Sequence, residues 1–117
     1  MIWIVVAIVF VLIVAVLLYF FPLVLVCGTS MCPTFNDGDL IVGSRLLKSV
    51  EVGEVYIFNP PVGEKYVIKR LTRISEATGS LFFEGDNADF SFDSRSYGYI
   101  KPEKVVAKYL FTLKKGV

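Results

Sequence analysis

From Ile2 to Phe21 the chain runs twenty residues without a charge, rich in Val, Ile, Leu and Phe. As a helix such a run rises about 30 Å, which matches the hydrocarbon thickness of a bilayer. Trp3 and Tyr19 suit the two interfaces, and Pro22 cannot continue the helical hydrogen bonding. A cleavable signal peptide would carry an apolar core of about 7 to 15 residues behind a basic start. This run is longer and has no Lys or Arg before it. The pattern therefore predicts a retained transmembrane anchor, assigned to residues 1–26, with a second unit over residues 27–117.

Past this run the pattern becomes mixed. Asn36-Asp37-Gly38-Asp39 is a turn signal, and Leu40-Ile41-Val42-Gly43 opens a short strand. Glu51-Val52-Gly53-Glu54 is a second turn, followed by the strand Val55-Tyr56-Ile57-Phe58, which Asn59-Pro60-Pro61 stops. The longest strand candidate spans 65–74. Its period of two puts Val67, Lys69 and Leu71 on one face and Tyr66, Ile68, Arg70 and Thr72 on the other. Residues 80–84 read as another strand ended by Gly85-Asp86-Asn87, and 105–113 as a last strand or short helix. Short strands separated by turns predict a mostly β fold, a compact antiparallel domain behind one membrane helix.

Composition narrows the chemistry. In 117 residues there is room for one small domain of about ninety residues beyond the anchor. Twelve Lys and Arg against eleven Asp and Glu leave a charge of +1 with no basic stripe, so nucleic acid is not an expected partner. Two cysteines, Cys27 and Cys32, and no histidine are too few ligands for a zinc site of the usual kind, so no metal or other cofactor is expected. The cysteines read as small buried apolar residues rather than as a disulfide.

The lack of histidine also removes the commonest general base. A nucleophilic serine here would need Lys, Asp or Glu to take its proton. Ser30 lies between Gly28 and Pro33, on backbone that neither continues a helix nor pairs fully in a sheet, so its hydroxyl is presented rather than packed. An ordinary polar turn at a membrane surface fits the same residues. Lys69 stands between two apolar neighbours on its face, and burial of an ammonium disfavours the charged form, which would make it a usable base. An exposed face, or an amine snorkelling to water, is the alternative for Lys69. The polar segment with Asp89, Ser91, Asp93, Ser94, Arg95 and Ser96 reads either as an ordered Asx-rich turn or as part of a site.

Three stretches, in order, resemble the type I signal peptidases, membrane-anchored serine proteases that remove signal peptides from exported proteins. Gly28-Thr29-Ser30-Met31-Cys32-Pro33-Thr34 resembles the segment carrying the nucleophile. Tyr66-Val67-Ile68-Lys69-Arg70 resembles the strand bearing a lysine general base followed by arginine. Gly85-Asp86-Asn87 with Ser91, Asp93, Ser94, Arg95 and Gly98 resembles the third conserved box of the family. The resemblance implies coiled antiparallel sheets, a Ser/Lys dyad of the bacterial type, Ser30 as nucleophile and Lys69 as base. It further implies that Ser91 aims the amine, that the Ser30 backbone N–H is an oxyanion donor, and that Asp93, Arg95 and Arg70 form a supporting ionic cluster. Precursor proteins bearing signal peptides and the lipid bilayer are the implied partners.

The sequence departs from the pattern in two places. Gly28 has no side chain to serve as the second oxyanion donor that some relatives supply there, so that donor is unassigned. Only fifteen residues lie between Lys69 and Gly85, so the large β insertion of many bacterial enzymes is missing and the chain resembles a minimal form. The resemblance implies a single-pass protein of the cytoplasmic membrane with its catalytic domain on the extracytoplasmic side. Arg45 and Lys48 after the helix, with no basic residue before it, favour the opposite orientation. A related Ser/Lys processing peptidase of pilin or conjugation type, or a non-catalytic membrane-anchored β domain, would share much of this pattern.

Overall fold

A computed structural model of the chain describes residues 1–63 and 66–116. Helix α1 covers Ile2–Phe20 and is long and apolar enough to cross a membrane. None of its residues is buried, so its apolar side chains are left for lipid to cover. Its C-terminal end is tied to the rest of the chain by Arg45. Arg45 Nε donates to the Tyr19 carbonyl at 2.7 Å and Arg45 N to the Phe20 carbonyl at 2.8 Å, while the guanidinium lies 5.3 Å from the Tyr19 ring centroid. A cation here satisfies carbonyls that a helix end leaves without partners and complements the helix dipole.

The remaining strands are β1 (Leu23–Leu25), β2 (Leu40–Ser44), β3 (Val55–Phe58), β4 (Val67–Ile74), β5 (Leu81–Glu84) and β6 (Val105–Lys114). They form a six-stranded antiparallel sheet in the order β1-β2-β6-β3-β4-β5. The mostly β architecture predicted from turn spacing is the one observed, and the last segment is a strand. The expected start of the fourth strand falls on Lys65, outside the described residues. β1 carried no separate signal: it continues the apolar run of the helix, yet Leu23, Val24 and Leu25 pair with Val42, Ile41 and Leu40. A short helix α2 at Ser94–Tyr97 and 3-10 turns at Ala88–Phe90 and Pro102–Lys104 complete the chain.

All four residues of β3 are buried, which is why its sequence is a continuous apolar run rather than an alternating one. Val55 and Ile57 enter one cluster with Val24, Met31, Ile41 and Ile68. Tyr56 and Phe58 enter the other with Leu71, Leu81 and Phe83. Phe83 stacks on Phe58 with centroids 4.2 Å apart and meets Tyr56 edge-on at 6.2 Å. Replacing Phe83 by Ala removes a fully buried ring and should cost about 3–5 kcal/mol. Leu110→Ala on exposed β6 surface should change stability by no more than about 0.5 kcal/mol. Chemical denaturation in detergent, followed by near-UV circular dichroism, checks both.

Candidate active site

The turn from β1 to β2 carries Ser30. Met31 beside it is 1% exposed and belongs to the first cluster, so the apolar side chain pins the loop while the neighbouring Ser30 stays half-buried. Phe35 pins it again, edge-on to Tyr109 at 4.7 Å. The loop closes on itself through Val26 N to the Asp39 carbonyl and Gly38 N to the Val26 carbonyl, both 2.8 Å. Gly28 N–H donates to Asp37 Oδ1 at 2.7 Å and is therefore engaged within the loop. Among the described residues the Ser30 N–H has no acceptor, which leaves it available to a ligand oxygen. Cys27 and Cys32 are unbridged. Cys27 is exposed and Cys32 only partly buried, because both sit on this surface loop and not in the core where they were expected.

Lys69 lies in β4 opposite Tyr56 and is 5% exposed. Its Nζ lies 2.5 Å from Ser30 Oγ, so residues 39 apart in sequence meet as a hydrogen-bonded pair. The ammonium donates to the hydroxyl; the neutral amine would accept from it. Burial beside Val67 and Leu71 follows the alternation of β4, as both belong with Tyr56 in the second cluster.

The segment after β5 supplies the framework. Gly85 has to be glycine because a Cβ there would lie 2.6 Å from both the Ser30 carbonyl and Ser91 Cβ. Asn87 then holds the Ser30 loop twice, with its N–H on the Ser30 carbonyl and its Nδ2 on the Thr29 carbonyl, both at 2.9 Å. Ser91 Oγ donates to Asp93 Oδ2 at 2.5 Å, and Gly85 N–H donates to the same oxygen at 2.8 Å. Asp93 also caps α2 by accepting the Arg95 N–H and pairs with the Arg95 guanidinium at 2.6 Å. Burial alone would raise the Asp93 carboxyl, but Arg95, Gly85 N–H and Ser91 together hold it far below the usual carboxylate range.

Arg70 does not join that cluster. It forms a bidentate pair with Asp86, at 2.9 and 2.8 Å, and donates to the Gly53 carbonyl at 2.6 Å. Asp86 accepts from Thr34 Oγ1 at 2.5 Å as well, and its carboxyl is lowered chiefly by Arg70. The expected single ionic cluster of Asp93, Arg95 and Arg70 is thus two pairs. Arg70–Asp86 ties β4 to the Ser30 loop through Thr34, while Asp93–Arg95 orders the segment around Ser91. Asp86 and Asn87 had no assigned role in the sequence; a Gly-Asp-Asn turn was visible, but not that its side chains reach back to residues 29–34.

Ser30 and Lys69 open on a cavity of about 600 Å³ between β1 and the Ser30 loop on one side and β4 on the other. Val24, Val26, Ile68, Phe90 and Phe92 give it an apolar lining. Tyr97, another lining residue unmarked by any sequence signal, has a buried hydroxyl without a hydrogen-bond partner among the described residues. Burial, with the Asp93 carboxylate adding to it, pushes that phenol up to about 12, so it stays protonated. Among the described residues no group of three or more His, Cys, Asp or Glu is placed to hold a metal ion. The arrangement has a hydroxyl with an adjacent buried amine, a free N–H at the hydroxyl-bearing residue and an apolar trough beside them. It is equipped for acyl transfer.

Comparison with known proteins bears on the same residues. The family model described as signal peptidase, peptidase S26, matches residues 1–74 and 71–113. The chain is 29% identical over 114 residues to mitochondrial inner membrane protease subunit 1 of Schizosaccharomyces pombe, covering 79% of this chain and 73% of that protein. It is 32% identical over 92 residues to the signal peptidase complex catalytic subunit sec11 of Sclerotinia sclerotiorum, covering 73% of this chain. It is 29% identical to SEC11 of Verticillium alfalfae, again over 73% of this chain. The chain spans 54% of the length of each of these two fungal subunits.

A methyl group at residue 85 has no space between the Ser30 carbonyl and Ser91. Gly85→Ala should therefore destabilise the domain by about 1–3 kcal/mol, the usual cost of overpacking. Thermal melts of wild type and variant in the same detergent measure it, and an unchanged midpoint would show that the loop yields freely.

Proposed function

The chain belongs to the signal peptidase family, peptidase S26, and from that premise we propose that it is a membrane-anchored serine endopeptidase removing signal peptides from precursor proteins by a Ser/Lys dyad. The observation that carries this reading is the 2.5 Å contact between Ser30 Oγ and the buried Lys69 Nζ. The names of the relatives, a protease subunit of the mitochondrial inner membrane and the catalytic subunit of signal peptidase complexes, support the same class of substrate.

In the proposed reaction the neutral Lys69 amine accepts the Ser30 proton as Oγ bonds to the scissile carbonyl carbon. The oxyanion so formed accepts from the Ser30 N–H, a donor type whose loss costs roughly a hundredfold or more in rate. Collapse breaks the C–N bond, and the Lys69 ammonium returns its proton to the leaving amine. Water then attacks the acyl-enzyme, giving its proton to Lys69, and Ser30 regains a hydrogen on release of the acid. Ser91, Asp93, Arg95 and Arg70 are supporting groups in this scheme; none has a proton-transfer role. Ser91 is held through Asp93, and Arg70 acts through Asp86 and Thr34 on the loop.

β1 has one neighbour in the sheet and lines the cavity, so its other edge can pair with an extended peptide, whose side chains would alternate into the apolar trough. The anchor holds that trough next to the bilayer, where a signal peptide leaves it. We assign the catalytic domain to the extracytoplasmic side of the cytoplasmic membrane, the side on which exported precursors emerge.

The test is cleavage of a precursor with small residues one and three positions before the cut, by full-length protein in detergent. Ser30→Ala and Lys69→Met should each lower turnover by several orders of magnitude while the circular dichroism spectrum is unchanged, since a half-buried hydroxyl carries little packing and Met keeps most of the volume of the buried Lys69 side chain. Cleavage retained by Ser30→Ala would end the serine-peptidase reading.

A further inference from the structure

The Ser30 loop is held from a second side, by a residue 77 positions away. Asp39, which closes the loop, has a side chain with no exposure to solvent. Its Oδ1 accepts the Gly116 N–H at 2.7 Å and its Oδ2 accepts the Asn36 N–H at 3.0 Å. These two amides hold its carboxyl below the usual range against the effect of burial. Lys115 Nζ is 4.0 Å from Oδ2 and largely exposed, so it adds less to this hold than the two amides do. The fit around Gly116 is close: a Cβ there would lie 2.7 Å from the Gly38 carbonyl carbon and 3.0 Å from Asp39 N.

Movement of this turn is transmitted to the nucleophile by short steps. The Asp39 carbonyl accepts from Val26, the Gly38 N–H donates to Val26, and Asp37 Oδ1 holds the Gly28 N–H, two residues before Ser30. On its other side Ser30 is fixed by Asn87. The loop is thus stretched between the turn after β5 and the end of β6. We propose that Asp39 and Gly116 are positioning residues, a clasp between the end of β6 and the nucleophile loop that keeps Ser30 Oγ within reach of Lys69 Nζ. The proposal rests on the Ser30/Lys69 reading for what the positioning serves. With the clasp released, the loop keeps Asn87, the Thr34–Asp86 bond and the buried Met31 and Phe35 but loses its hold on the β6 side, and a shift of about 1 Å in a reacting group can cost on the order of a hundredfold in rate.

The test compares wild type, Gly116→Ala, Asp39→Asn and the surface control Leu110→Ala as full chains in detergent. It measures kcat and KM on the precursor, the rate at which a fluorophosphonate labels Ser30, and amide hydrogen exchange across residues 26–39. Both clasp variants should lose about tenfold or more in kcat and in labelling rate. Their KM should stay within about twofold, with faster exchange at Gly28 and Asn36, while Leu110→Ala matches wild type. Asp39→Asn keeps the size of the side chain but turns an NH₂ toward one of two N–H donors, so it probes the clasp without added bulk. Unchanged kcat and labelling in both variants overturns the proposal, whether or not exchange is faster. A loss that disappears on assay well below the melting temperature also overturns it, because the residues would then serve stability alone. Absence of cleavage and labelling in wild type would instead strike at the peptidase reading, and the two failures are told apart by that control.

Discussion

A lysine amine brought out of water to within 2.5 Å of a serine hydroxyl is the constraint that the domain has to satisfy. Burial by itself disfavours the ammonium form of such a group. The contact therefore has to be imposed by elements that are stable for other reasons. β4 supplies Lys69 from between β3 and β5, where Val67 and Leu71 pack into the same cluster as the aromatic residues of those two strands. The loop supplies Ser30 from a segment that Met31 and Phe35 anchor in the opposite cluster. Ser30 and Lys69 thus lie beside two separate cores, and their separation is set by how both cores pack on β3.

The charged side chains around the Ser30–Lys69 pair are engaged with one another. Arg70 spends its guanidinium on Asp86 and the Gly53 carbonyl, and Arg95 spends its own on Asp93. Each carboxylate in turn receives hydroxyl or backbone donors, so it remains ionised while partly or wholly shielded from solvent. Their work is geometric: Asp86 reaches the loop through Thr34, and Asp93 gathers Gly85, Ser91 and α2. Gly85 lets the loop and Ser91 close over the strand end, a role that any side chain would obstruct.

Much of this was readable in the sequence because the signals were local. The uncharged run from Ile2, the turns at Asn36–Asp39 and Glu51–Glu54, and the alternation around Lys69 each depend on neighbouring residues, and the helix and five strands follow them closely. β1 was hidden because three apolar residues after an apolar helix carry no period of their own. The division of the expected ionic cluster into Arg70–Asp86 and Asp93–Arg95 was hidden because it depends on which strand end meets which turn. Asp39 read as part of a turn signal and Gly116 carried no signal; only the fold brings them together. The orphan hydroxyl of Tyr97 has the same origin, since an aromatic residue in a polar segment reads as packing until its surroundings are known.

The central claim is that Lys69 works as a neutral amine on Ser30, and the most direct measurement is the ionisation of Lys69 itself. The ¹³Cε chemical shift of labelled lysine can be followed against pH in the full-length protein, with Lys69→Arg used to assign the signal. The account predicts a midpoint well below the ordinary lysine value of about 10.4, with kcat/KM for precursor cleavage rising with pH through the same midpoint. A Lys69 that keeps its proton up to the ordinary value while cleavage is already complete near neutral pH would contradict it. The amine would then act only as a fixed charge, and the base would have to be sought among the carboxylates.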